Sequence, residues 1–98
     1  MRIKDPEIIQ VWVLSTVHLR QETVRKLEGT DTEWTSYDYE EGMWVYVPQK
    51  LEEFAVELQA VGEELFELMR TAIGLGVKYI QFDCDGPQHE ELPQYEWD

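Results

Sequence analysis

Residue types able to do chemistry gather at two places in this chain. Toward its end, Gln81-Phe82-Asp83-Cys84-Asp85-Gly86 sets two carboxylates one residue apart, behind an apolar run and ahead of a glycine. Hard cations are held by several oxygens at once, and metal-assisted phosphoryl chemistry draws on the same groups. Asp83 and Asp85, with His89 and His18 as further ligands, therefore form one candidate: a small metal-dependent phosphoester hydrolase. Turn chemistry accounts for the same string, with Asp83 or Asp85 accepting backbone N–H bonds and Gly86 at positive φ. Toward the start, Ser15 and His18 could join Asp83 in a Ser/His/Asp relay if the three came within hydrogen-bond reach beside an oxyanion site. A histidine packed at a strand-to-helix turn is the competing account. Cys84 stands between two carboxylates with no basic neighbour, an arrangement that disfavours the thiolate a nucleophile needs. The balance favours a turn in an acidic surface, with no catalytic residue, metal or cofactor expected.

These residues must be held by a small number of elements. Residues 8–15, IIQVWVLS, are β-branched, aromatic and apolar almost throughout, the pattern of a strand buried on both faces. Ser15 and Thr16 offer capping hydroxyls, and Leu19, Val24 and Leu27 support a helix over 18–28 stopped by Gly29. A polar loop, TDTE, follows. Residues 34–40 alternate polar and aromatic, residues 43–47 read MWVYV, and Glu41-Gly42 joins them as a hairpin ended by Pro48. From Leu51 through Phe54, Leu58, Val61, Leu65 and Leu68 to Ala72, apolar residues recur at spacings of three and four, one face of a helix. Gly62 inside that face marks either close packing on the sheet or a break between two shorter helices. Gly74 and Gly76 end the helical stretch, and VKYIQF at 77–82 is a final strand. Strand, helix, strand, strand, helix, strand is the order of a ferredoxin-like α+β fold. The expectation is a four-stranded antiparallel sheet, first and third strands central, with two helices on one face. Trp12 and Trp44 are expected inside. Residues 87–98, with two prolines, read as an extended C-terminal arm or a short added edge strand.

Length and composition bound the rest. The 98 residues suffice for one domain, spanning 1–98, and the 43% hydrophobic content supports a modest core. One cysteine excludes an internal disulfide framework, and the charged, proline-containing N-terminus lacks the apolar run of a signal peptide. No stretch is apolar for the ~20 residues of a membrane span, so a cytoplasmic protein with no membrane partner is expected. Net charge is −13, and its distribution is uneven. Residues 1–27 carry five basic and three acidic residues; residues 28–98 carry 18 acids against Lys50, Arg70 and Lys78. Solubility alone explains an acidic surface. Direct nucleic-acid binding requires basic clusters that this chain does not have.

The acids are patterned. On the expected long helix Glu53, Glu57, Glu64 and Glu67 fall along one flank over roughly 21 Å. Neighbours four residues apart repel by a few tenths of a kcal/mol, so the stripe adds nothing to the helix itself. Further clusters mix acids with rings: Glu33 and Trp34 with Asp38, Glu40 and Glu41, and Glu90 and Glu91 with Tyr95, Glu96 and Trp97. Carboxylates beside exposed rings suit an Arg-rich protein partner, which both pairs and stacks. Trp34 and Trp97 are the surface candidates.

Three blocks carry a resemblance. Ser15-Thr16-Val17-His18-Leu19, Phe82-Asp83-Cys84-Asp85-Gly86 and Leu92-Pro93-Gln94-Tyr95-Glu96-Trp97 together resemble a family of short uncharacterised bacterial proteins associated with plasmids and prophages. The string from Leu14 to Leu19 also resembles part of a phage anti-CRISPR family. Separately, the strand followed by Asp-x-Asp-Gly looks like the nucleophile loop of haloacid-dehalogenase-type phosphatases, a family that needs a large domain downstream of it. The mobile-element resemblance implies an inhibitor that occupies a nucleic-acid site on a defence protein. The expected function is an acidic protein-binding inhibitor, its carboxylates standing in for phosphates in the basic groove of a nuclease, CRISPR-type effector or repressor. Glu53, Glu57, Glu64, Glu67, Asp38, Glu40, Glu41, Trp34 and Trp97 are the expected contacts. A regulatory or structural dimer joined through an edge strand is a third reading.

Overall fold

The computed structural model describes residues 2–28, 36–39 and 42–97. Strand β1 (Val11–Ser15) runs into a single 3₁₀ turn at Thr16–His18, followed by helix α1 (Gln21–Glu28). Strands β2 (Ser36–Tyr39) and β3 (Gly42–Tyr46) pair antiparallel, Tyr39 opposite Gly42. A 3₁₀ turn at Leu51–Glu53 leads to α2 (Ala55–Val61) and α3 (Glu63–Leu75), and β4 (Tyr79–Asp83) closes the regular structure. The strands form one mixed sheet in the order β1-β4-β3-β2.

This order corrects the ferredoxin-like expectation. β1 pairs parallel with β4, Val11 beside Tyr79 and Ser15 beside Asp83, so the sheet is not antiparallel. β1 lies at an edge rather than in the centre, and the central positions belong to β4 and β3. An apolar run signals a strand without saying how many neighbours it has. In β1 only Leu14 and Ser15 are buried, and Val13 is 37% exposed. Residues 8–10, expected as strand, are exposed and outside any regular element.

One face of the sheet holds the core. Leu14, Met43, Val45, Ile80 and Phe82 alternate inward and pack with Leu58, Leu65, Leu68, Met69 and Ala72 from α2 and α3, and with Val24 and Leu27 from α1. Burying a side chain such as Leu65 or Phe82 completely is worth about 2–3 kcal/mol. On the opposite face Trp44 and Tyr46 meet the edge of Tyr79, ring centroids 6.0 and 5.6 Å apart. Trp44 is thus half-buried on the face away from the helices, and Trp12 is half-buried beside the core, rather than both lying inside it.

Of the two readings of Gly62, the break between two shorter helices holds for the helical stretch over 51–72. The stretch is broken at Gly62, whose extended backbone (φ 179°, ψ 127°) separates α2 from α3. A Cβ at this position would stand 2.4 Å from the Thr23 hydroxyl of α1 and 2.7 Å from Glu64 Oε1. The glycine lets α1 approach the junction, and the chain turns there instead of continuing one rod.

Candidate protein-binding surface

The Asp83-Cys84-Asp85-Gly86 turn begins where β4 leaves the sheet. Asp83 Oδ1 accepts the Asp85 N–H at 2.8 Å, and the Asp83 carbonyl accepts the Gly86 N–H at 2.9 Å. Turn geometry therefore uses the first carboxylate. Gly86 does not adopt positive φ, contrary to expectation. Its role is close approach, since a Cβ would stand 2.6 Å from the Leu14 carbonyl oxygen. One ligand atom from each of Asp83, Cys84 and Asp85 lies within 4.8 Å of the others. Three ligands from one turn fall short of the six to eight oxygens calcium takes.

Beyond Gly86 the chain runs back over the β1–α1 connection without forming regular structure, and hydrogen bonds fix it there. Ser15 N–H donates to the Pro87 carbonyl (2.9 Å), Tyr95 N–H donates to the Val17 carbonyl (2.8 Å), and the Trp97 indole Nε1–H donates to the Leu19 carbonyl (2.9 Å). His18 is the centre of this clasp and is 1% exposed. Its Nδ1 lies 2.9 Å from the Pro93 carbonyl, which can only accept, and its Nε2 lies 3.0 Å from the His89 N–H, which can only donate. The ring therefore carries its proton on Nδ1 and presents a lone pair at Nε2, and both nitrogens are occupied. Ser15 Oγ, for its part, accepts the Val17 N–H at 3.2 Å. The Ser15/His18/Asp83 relay is thus not assembled, and His18 is structural. His89 lies over it with ring centroids 6.1 Å apart.

The acidic flank is reorganised by the break at Gly62. Glu53 belongs to the 3₁₀ turn, Glu57 to α2 and Glu67 to α3, all exposed, while Glu64 is buried. Glu64 Oε2 accepts from the Arg20 N–H at 2.8 Å, just ahead of α1, and from the Thr23 hydroxyl within it. Its Oε1 is buried without a partner among the described residues. This carboxylate holds α1 to α3 and is not on the outer surface. Exposed Glu52 and Glu63, absent from the sequence-based set, stand on the same helical layer. Glu67 pairs with Arg70 at 3.2 Å. Glu52, Glu53, Glu57 and Glu63 have no cationic partner among the described residues. Beside Glu63 a cleft of about 250 Å³ opens between α3 and the arm, walled also by Glu67, Leu92 and Tyr95. The Arg20 guanidinium lies 5.0 Å from the centre of the Tyr95 ring there.

The remaining expected contacts divide. Trp34, Glu40 and Glu41 lie outside the described residues, as does the Asp38 side chain, although the Asp38 backbone pairs with Met43 in the hairpin. Trp97 is 40% exposed, but its indole N–H is committed to Leu19, so the ring is a fastened element rather than a free anchor. Sequence reasoning had no means of finding the Thr23–Glu64 contact, since neither residue's spacing shows which helix it meets.

Fold and surface together define a small two-layer α/β domain, with a sheet covered on one side by an acid-rich helical layer. The chain belongs to the DUF5983 family, a family of unknown function, whose C-terminal domain matches residues 11–97. No curated protein and no solved structure matches it. No helix among the described residues is long and apolar enough to cross a membrane.

Proposed function

We propose that this domain is an acidic protein-recognition module that occupies a cationic groove, acting as a decoy for nucleic acid on a nucleic-acid-binding protein. The observation carrying the reading is the set Glu52, Glu53, Glu57 and Glu63, exposed on the helical layer and without cationic partners among the described residues. Glu57 and Glu63 stand in the first turns of α2 and α3, where the helix dipole favours a carboxylate by less than about 1 kcal/mol, and no cation among the described residues offsets their mutual repulsion. Against a basic groove the array steers association and pairs with Arg and Lys. The net charge of −13 acts in the same direction over longer range. The resemblance of the Ser15–Leu19, Phe82–Gly86 and Leu92–Trp97 blocks to mobile-element proteins supports a defence-type target and a cytoplasmic setting. Glu64 leaves the contact set, and Glu63 replaces it.

The test is capture from nuclease-treated bacterial lysate, eluted with rising salt, using the wild type beside a Glu53→Lys/Glu57→Lys/Glu63→Lys variant. A nucleic-acid-binding partner that elutes with salt and binds the triple variant at least about tenfold more weakly supports the reading. All three positions are exposed, and reversing the first-turn charges of Glu57 and Glu63 should cost no more than about 1–2 kcal/mol, so the variant should stay folded, as an unchanged circular dichroism spectrum would verify. Unchanged affinity in a folded triple variant removes this surface from the model.

A further inference from the structure

The β1 edge carries an inference independent of the acidic layer. Backbone polarity along β1 follows from three contacts. Lys78 N–H donates to the Gln10 carbonyl, Val47 N–H donates to the Lys78 carbonyl, and Ser15 N–H turns away from β4 to the Pro87 carbonyl. In a parallel pair alternate residues bond to the neighbour. Residues 10, 12 and 14 therefore face β4, and the amides of Val11 and Val13 point out of the sheet. Among the described residues the arm's backbone hydrogen bond to β1 falls at Ser15, while Gly86 approaches Leu14 and His89 approaches Trp12. Among the described residues no hydrogen bond beyond the sheet is made by the backbone of Val11 or Val13.

The same residues carry a matching side-chain pattern. Ile9, Val11 and Val13 lie on one side of the chain in strand alternation; Ile9 is 43% and Val13 37% exposed. Ile8 is 83% exposed. Edge strands of soluble domains are ordinarily guarded by charge, proline or a bulge. Residues 8–15 contain none of the first two, and residues 1–10 are neutral as a set, Arg2 and Lys4 against Asp5 and Glu7. On a chain of net charge −13 this is a segment where two copies can meet without opposing like charges.

We propose that the edge of β1 is a self-association surface for a second copy of this chain. The two copies pair antiparallel about a twofold axis at Val11, extending each strand back through residue 9. Val11 then faces its own counterpart, and Ile9 of each copy faces Val13 of the other. Three apolar cross-strand pairs result on one face, and the outward amides gain partners. The pairing also accounts for residues 8–10, whose composition is that of a strand although they are exposed in the single chain.

Sedimentation velocity across a concentration series, at low and high salt, tests this on the intact chain. The wild type is expected to be a dimer whose association tightens as salt rises, because screening relieves the repulsion between two acidic bodies. That salt response is opposite to the one expected for capture of a basic partner, so the two readings fail separately. Val11→Lys places like charges at the axis and should weaken dimerisation at least about tenfold. Val13→Pro removes an outward N–H, a substitution edge strands tolerate, and should do the same with an unchanged circular dichroism spectrum. A wild type that stays monomeric at every concentration and salt overturns the proposal. So does a dimer that persists in folded Val11→Lys.

Discussion

The two terminal segments of this domain are opposites. Residues 86–97 form no helix or strand and contain charged and polar residues throughout, yet they are fastened to the β1–α1 connection by a buried imidazole, two backbone bonds and an indole N–H. Residues 2–10 are richer in isoleucine and leave Ile3, Ile8 and Ile9 exposed. Their described attachments are the Gln10 carbonyl bonded to Lys78 and a 3.8 Å ion pair from Glu7 to the same residue. Order in the arm comes from hydrogen-bond valences that match one for one, and apolar content by itself places nothing. A buried polar group left unmet costs about 1–3 kcal/mol, a penalty that fixes geometry more sharply than non-directional burial does.

The largest effect that would break this contrast is at His18. His18→Ala leaves the Pro93 carbonyl and the His89 N–H without their partner and opens a cavity beneath the arm. A loss of about 3 kcal/mol is expected in urea unfolding. A loss under about 1 kcal/mol would show that water replaces the ring and that the clasp is not what orders the arm. Trp97→Phe keeps most of the ring but removes the donor to Leu19, so about 1 kcal/mol should be lost, with amide exchange rising around residues 95–97. Ile8→Ser is the smallest: at 83% exposure, stability of the single chain should change by no more than about 0.5 kcal/mol. A larger change would mean that the N-terminal segment is held by contacts of its own.

The same contrast explains what could be read in advance. Strand and helix positions were legible in the alternation of Met43 and Val45 and of Ile80 and Phe82, and in the three-and-four spacing from Leu58 to Ala72, because those periods are imposed locally by the backbone. Sheet order was not legible. β1 and β4 are both short apolar runs, and only their partners distinguish an edge from a centre. Gly62 offered close packing on the sheet or a break; the structure shows the break, and the close approach is to Thr23 of α1, which no local signal encodes. For the acidic surface, composition showed the excess of carboxylates and periodicity showed the helical stretch that carries part of it. Glu64 was misplaced because an uninterrupted helix puts it on the outer flank, whereas the break turns it inward to α1. The FDCDG turn was correctly assigned to turn chemistry, although Gly86 serves a close approach to Leu14 rather than positive φ.

Parallel pairing of β1 with β4 also sets an order of events during synthesis. β1 is made well before its strand partner β4, and the bond that locks His18 to Pro93 spans 75 residues. At a ribosome speed of roughly 5–20 residues per second, residues 8–15 wait on the order of ten seconds without a neighbour. They are uncharged and β-prone for all of that interval. Nascent chains should therefore be exposed to aggregation through this segment until residues 79–97, which carry β4 and the arm, have emerged.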